Sequence, residues 1–195
     1  MEMIRSWLRL IFFQALIKVS ERRDFDTFKI YSASNDESFF DTVIKALEFL
    51  KRMDAHRYAR AEKHLRGIAH VKQGINHYEL RTKMFYVHEF DDADPAYFAS
   101  QVVHEATHGY LSDRRFRYKG NEERHESICV REQFAFIKKA INQQKSVSEE
   151  KRKAIIEEWQ GWFQQLMETK WWQQKNLRRE RIRALQETVR EWSGK

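Results

Sequence analysis

Residues 94–111 of this 195-residue chain read DPAYFASQVVHEATHGYL, and this stretch decides most of what can be expected of the fold. Asp94 is placed to accept hydrogen bonds from the first free amides of a helix, and Pro95 suits the first helical position. A helix is therefore predicted over the rest of the stretch. His104 and His108 are four residues apart on it, so both imidazoles lie on one face and can reach one ion.

His104, Glu105 and His108 form the pattern His-Glu-x-x-His. Imidazole nitrogen is a favoured zinc ligand, and a catalytic zinc site has three protein ligands with one position left for water. Glu105 flanks that position, so its carboxylate could take a proton from water acidified by the metal and later pass it to a leaving amine. Chance produces the bare pattern in roughly a few per cent of such sequences. Its place on a capped helix, directly after a predicted strand, favours metal binding.

The segments before the motif helix carry strand and helix signals. Residues 84–90 alternate as a strand does, with Phe85 and Val87 on one face and Tyr86 on the other. Residues 28–31 form a shorter strand candidate, and residues 68–71 also look extended. Helices are predicted to carry residues 40–50, with Asp36 or Ser38 as the cap, and residues 55–66, closed by Gly67.

After the motif helix, a basic loop over residues 112–121 and a helix over residues 122–142 are predicted. Ser146 and Glu149 match a capping box that opens a terminal helical region. We therefore divide the chain into a domain over residues 1–145 and a helical C-terminal extension over residues 146–195, packed on that domain.

Composition predicts a soluble globular protein, with 42% hydrophobic and 33% charged residues and a length that suits one domain. Cys129 is the only cysteine and cannot form an intramolecular disulfide, which fits a reducing compartment, and the cytoplasm is the expected location. The apolar patch within residues 1–20 is too short to span a bilayer and lacks a cleavage site typical of secretory signals.

Residues 170–195 carry eight Lys or Arg against three Glu, and this local charge of +5 accounts for most of the chain's net charge of +7. The tryptophans and arginines of this tail could contact a polyanion such as nucleic acid, a membrane surface or a partner protein. Packing of the aromatic residues onto the domain explains them equally well. The oligomeric state is not indicated.

At the His-Glu-Ala-Thr-His stretch, residues 104–108, the sequence resembles the zincin metallopeptidases, and among them the small gluzincins. Residues 126–130, Glu-Ser-Ile-Cys-Val, followed by Ala135 and Phe136, also resemble a group of bacterial metallopeptidases with a Glu-x-x-Cys-Val motif. The resemblance covers residues 84–137 and is specific only at the motifs. It implies a small zincin-like α+β domain, with a short, mainly antiparallel sheet beside two motif-bearing helices.

The resemblance implies that Glu126 is the third zinc ligand. From the residues alone, Glu123, Glu132 and His125 also compete, although Glu132 points largely away from Glu126 on a helix. Cys129 lies one turn past Glu126 and could neighbour the site. Nothing in the spacing selects an oxyanion donor among Tyr110, Tyr118 and His125.

The chain is therefore predicted to be a zinc-dependent metallopeptidase that acts on a peptide or protein substrate. His104, His108 and Glu126 would bind Zn²⁺, and Glu105 would be the general base. In zincins, a strand like residues 84–90 holds an extended substrate, although an interior strand has the same pattern. The alternative function is a zinc-binding regulatory or interaction module that uses the basic tail.

Overall fold

The computed structural model describes residues 15, 17–34, 36–71, 76–88, 94–116, 118, 120–143 and 148–168. These residues form one sheet and several helices, which is the predicted α+β class. The elements in chain order are β1 Glu21–Phe25, β2 Phe28–Ser32, α1 Glu37–Met53, α2 Ala55–His64, β3 Gly67–His70, β4 His77–Glu79, β5 Met84–Val87, α3 Pro95–Asp113, α4 Glu122–Gln143 and α5 Glu149–Glu168.

The sheet is mixed, with strand order β1-β2-β3-β5-β4. Its two inner ladders, β2 with β3 and β3 with β5, are parallel, whereas the two outer ladders are antiparallel. The expectation of a mainly antiparallel sheet is therefore wrong. The physical reason is the connection from β2 to β3, because a crossover through α1 and α2 returns the chain to the end of the sheet where it started.

The sequence pattern does not predict strand β1, because its residues, ERRDF, are mostly charged. It is an edge strand that pairs with β2 from Glu21 opposite Ser32 to Phe25 opposite Phe28. Edge strands tolerate charged residues on the side that faces water. The hairpin turn brings Asp26 to a φ of 48°, a left-handed conformation that Asp adopts more readily than most residues.

Helix α3 lies at the centre of the fold. Thirteen of its nineteen residues are buried, so it must be covered on several sides. It contacts α1, α2, α4 and β4. Its Phe98 and Val102 join the main core with Phe85 and Val87 of β5, whereas Tyr86 lies in a second cluster on the other face of that strand. The alternation predicted for this strand is confirmed over residues 84–87.

The predicted helix starts at Asp36 and Asp94 are confirmed. The Asp36 carboxylate accepts hydrogen bonds from the amides of Ser38 and Phe39, and that of Asp94 accepts from Ala96 and Tyr97. These contacts satisfy amides that have no partner within the helix.

Gly67 does not close α2, which ends at His64, because Gly67 is the first residue of β3. A Cβ atom at this position would lie 2.2 Å from the carbonyl oxygen of Lys29. The absence of a side chain therefore serves close strand pairing with β2 rather than a helix terminus.

Helix α5 packs on the rest of the chain through Ile155, Trp159 and Phe163, which are buried in the main core. The rings of Phe163 and Phe134 on α4 have centroids 5.1 Å apart. The proposed cap Ser146 and the tail 170–195 lie outside the described residues. Within the described ranges, no helix is long and apolar enough to cross a membrane.

Asp54 joins α1 and α2 and should contribute to stability. It is buried, accepts a hydrogen bond from the amide of Arg57, and pairs with the side chains of Arg57 at 2.6 Å and Lys139 at 3.1 Å. Burial raises the pKa of this carboxyl, but the hydrogen bonds from Arg57 and Lys139 outweigh it, so the pKa is lowered overall. Its contribution is therefore present above the unfolded-state pKa and is lost as the pH falls through the lower folded-state value.

We predict that Asp54→Ala lowers the free energy of unfolding by about 2 kcal/mol at pH 7, because it removes a helix cap and the buried carboxylate that pairs with Lys139 and Arg57, although Arg57 keeps Glu132 as a partner. Urea unfolding measures this loss. The difference from wild type should shrink as the pH falls below about 4. Asp24→Ala is the control, because Asp24 forms an exposed pair with Arg22 and its loss should change stability little. Equal effects of the two substitutions would contradict the prediction.

Candidate metal centre

The two histidines of the motif meet inside the protein, as their spacing on α3 predicts. Their Nε2 atoms are 3.2 Å apart, and the ring centroids are 5.0 Å apart. His104 is buried and His108 is partly exposed. Gly109 allows this part of α3 to approach its neighbours, because a Cβ atom there would lie 2.9 Å from the carbonyl oxygen of His64 and 3.0 Å from the Tyr78 hydroxyl.

Helix α4 brings Glu126 to the same point. Its Oε2 lies 3.4 Å from Nε2 of His104, and its Oε1 lies 3.7 Å from Nε2 of His108. The hydroxyl of Tyr118, in the segment between α3 and α4, donates a hydrogen bond to Oε1 at 3.1 Å. The Tyr118 hydrogen bond thus helps to hold the carboxylate beside the two imidazoles.

Glu126 is ionised at neutral pH although it is buried. Burial raises the pKa of its carboxyl, but the hydrogen bond with His104 and the charges of His108 and His104 outweigh it and hold the pKa at about 2. A buried carboxylate is stable only when cations or hydrogen-bond donors compensate its charge. The two imidazoles can provide this compensation when they carry extra protons.

A bound cation would satisfy the same atoms without extra protons. When both neutral rings carry their proton on Nδ1, the two Nε2 atoms and the carboxylate would otherwise direct lone pairs at one another across 3.2 to 3.7 Å. Ligand bonds of about 2.0 to 2.1 Å in a tetrahedral zinc site place ligand atoms about 3.3 Å apart. The separations of the three side chains are close to that value, so the residues fit a zinc ion.

Glu105 lies beside these groups in the wall of a cavity of about 410 Å³. The cavity is lined by residues of α3 and α4 on one side and by residues of β4 on the other. Its lining includes His104, Glu105, His108, Glu126 and Tyr118. Water and a substrate of modest size can therefore reach the place where the three candidate ligands converge.

Cys129 is a competing ligand on the same face of α4. Its sulfur and the ring nitrogens of His104 and His108 all lie within 4.8 Å of one another. Burial, followed by the charges of Glu126 and Glu105, raises the pKa of this thiol. Glu126 presents a charged ligand, whereas Cys129 would have to lose a proton to become one. The geometry allows a site with either residue or with both.

The structure separates the other candidate ligands from the site. Glu132 binds Arg57 and Arg60 through Oε2 at 3.2 and 2.8 Å, on the side of α4 that faces α2. Glu123 is exposed and does not line the cavity. His125 is buried, and its Nδ1 lies 3.1 Å from Nδ1 of His108, so it contacts that ring at the nitrogen opposite the converging atoms.

Of the three candidate oxyanion donors, Tyr118 and His125 line the cavity. Tyr110 lies elsewhere, with its ring against His64 and beneath the guanidinium groups of Arg60 and Arg114. Two basic residues of the loop predicted over residues 112–121, Arg114 and Arg115, do not line the cavity. Its other two, Arg117 and Lys119, lie outside the described residues.

Sequence reasoning missed two contributors to the site. Oε1 of Gln133 lies 3.2 Å from Nδ1 of His104 and accepts a hydrogen bond from it. It follows Glu126 by seven residues, two helical turns along the same face, and this spacing is a signal that could have found it. His77 on β4 also lines the cavity, and its Nδ1 lies 3.3 Å from Nε2 of His88. No spacing in the sequence relates these two histidines to the motif.

No family model matches the chain, and no curated protein or solved structure matches it.

Because Glu126 is already charged and Cys129 would have to lose a proton, we predict that Glu126, rather than Cys129, is needed to bind a metal ion. Zn²⁺ should raise the melting temperature of the wild-type protein, because a ligand that binds only the folded state stabilises it. Glu126→Gln should abolish most of this shift, whereas Cys129→Ser should retain it. Thermal unfolding with and without Zn²⁺ measures both. A shift that survives Glu126→Gln and disappears in Cys129→Ser would instead assign the third ligand to the cysteine.

Proposed function

We propose that this protein is a small zincin-like metallopeptidase that hydrolyses peptide bonds with the aid of one Zn²⁺ ion. His104, His108 and Glu126 would hold the metal, and Glu105 would be the general base and acid. The observation that carries the proposal is the convergence of the three side chains, at 3.2 to 3.7 Å, beside an accessible cavity that Glu105 also lines.

The bound metal would supply a Lewis acid that polarises the scissile carbonyl and lowers the pKa of water. Glu105 then takes a proton from the water as its oxygen attacks the carbonyl carbon. The same carboxyl returns the proton to the amide nitrogen as the carbon–nitrogen bond breaks, so the products are an acid and an amine. The Tyr118 hydroxyl lines the same cavity and, on leaving its hydrogen bond with Glu126, would donate to the oxygen on which negative charge develops.

Strand β4 supports a peptide as the substrate. Residues 84–90, which the sequence predicts for this role, contain β5, which lies between β3 and β4 and pairs with both. β4 is the edge of the described sheet beside the cavity, and its residues His77, Tyr78 and Glu79 line it. An extended peptide could pair with this edge and lie along the cavity.

A structural or regulatory zinc site is the second candidate, and the position of Cys129 favours it. If Cys129 joined the two histidines and Glu126, four protein ligands would close the coordination sphere, as structural sites do. Cobalt substitution distinguishes a closed site with four protein ligands from an open site with three. A cobalt-substituted protein with a thiolate-to-cobalt absorption band that disappears in Cys129→Ser would support the closed site, and its absence would support the open one.

We predict that Glu105→Gln keeps the metal but loses turnover. The amide is similar in size to the carboxylate but cannot accept a proton, so hydrolysis of an unstructured protein substrate should fall by about 10²-fold or more. Metal content, measured by elemental analysis, should stay near one zinc per chain. Glu123→Gln is the control and should leave turnover unchanged, because Glu123 is exposed and does not line the cavity.

Two results would overturn this assignment. Unchanged turnover in Glu105→Gln would move the general base to another residue. Wild-type protein that contains no zinc when purified without chelators, and binds none when it is added, would contradict the metal site itself.

A further inference from the structure

A chain of buried polar side chains extends from His104 into the interface between α3 and α4. Nδ1 of His104 lies 3.2 Å from Oε1 of Gln133, and Nε2 of Gln133 donates to Oγ of Ser100 at 3.0 Å. The Ser100 hydroxyl donates to the carbonyl oxygen of Tyr97 at 2.7 Å. Because His104, Gln133 and Ser100 are all buried, these groups must satisfy one another rather than water.

The carbonyl oxygen of Tyr97, the last group in this series of side chains, fixes the direction of every hydrogen bond in the series. The carbonyl oxygen of Tyr97 can only accept, so the single hydroxyl proton of Ser100 points to it. Ser100 Oγ then accepts from the amide NH₂ group of Gln133. The oxygen of the same amide consequently faces His104, and because this oxygen can only accept, Nδ1 of His104 must be the donor.

This direction determines which nitrogen of His104 can bind a metal. A neutral imidazole carries one proton, and a proton on Nδ1 leaves a lone pair on Nε2. Nε2 is the atom that lies 3.2 Å from His108 and 3.4 Å from Glu126. A Gln133 amide in the opposite orientation would donate to Nδ1 and place the proton on Nε2, where it would block the metal.

We propose that Gln133 is a positioning residue that selects the Nδ1-protonated form of His104 and thereby makes Nε2 a metal ligand. This inference rests on the proposed zinc site, since it assigns Gln133 a role toward one of the ligands. Residues that hydrogen-bond to metal-binding histidines typically change metal affinity 10- to 100-fold when they are replaced. Gln133 also couples the two ligand-bearing helices, because the same face of α4 carries Glu126.

The test compares zinc affinities of three variants, measured by competition with a chromophoric chelator. Gln133→Met fills the space without an acceptor and should weaken binding about 10- to 100-fold. Gln133→Glu keeps an acceptor toward Nδ1 and should bind at least as tightly as wild type. Ile137→Met, one turn further along the buried face of α4, controls for altered packing and should leave the affinity nearly unchanged.

Nitrogen NMR on the zinc-free protein tests the same idea without metal and without the variants at Gln133. Long-range proton–nitrogen spectra report which ring nitrogen of His104 carries the proton. The spectra are recorded at alkaline pH on Glu126→Gln, because in zinc-free wild type the Glu126 carboxylate, 3.4 Å from Nε2, would itself favour a proton there. The Nδ1-protonated form is expected in this variant.

Two outcomes would overturn the role of Gln133: a proton on Nε2 of His104 in Glu126→Gln, or equal zinc affinities of Gln133→Met and wild type. A drop in affinity of the same size in Ile137→Met would also count against it, because packing would then explain the effect. If wild type binds no zinc, the proposed function fails, and the NMR result still decides the inference about Gln133.

Discussion

The structure around α3 depends on one electrostatic requirement. A buried carboxylate, Glu126, faces two imidazole nitrogens across 3.4 and 3.7 Å, and a proton donor or a cation must lie between them for this arrangement to be stable. Protons on the imidazoles or a shared cation can meet the requirement. A metal ion uses the lone pairs of all three groups at once, whereas a proton on one Nε2 atom serves only part of this set.

The fold meets this requirement by placing α3 at its centre. Contacts with α1, α2, α4 and β4 restrict the helix from several directions, and Gly109 permits the close approach of α2 and Tyr78. Two buried side chains also contact the histidine rings at their Nδ1 atoms. Gln133 contacts His104 and His125 contacts His108, so each ring is oriented by a different residue of α4.

The open side of the site determines which chemistry a bound metal could support. The cavity separates the histidines from β4, and Glu105 and Tyr118 both reach it. A metal with three protein ligands could accept water from that side, whereas a fourth bond to Cys129 would exclude it. Hydrolysis and a structural metal therefore differ by a single coordination bond, and both use the same two histidines.

The sequence alone predicts features that depend on short spacings. Asp94 and Pro95 start α3, and a separation of four residues places His104 and His108 on one face, because helix geometry is local. Tertiary structure alone decides which glutamate on α4 reaches the histidines, since Arg57 and Arg60 pair with Glu132 across an interface. It also decides the parallel inner strands and the hydrogen bond from His104 to Gln133. These features join residues that are far apart in the chain, and only packing brings them within contact distance.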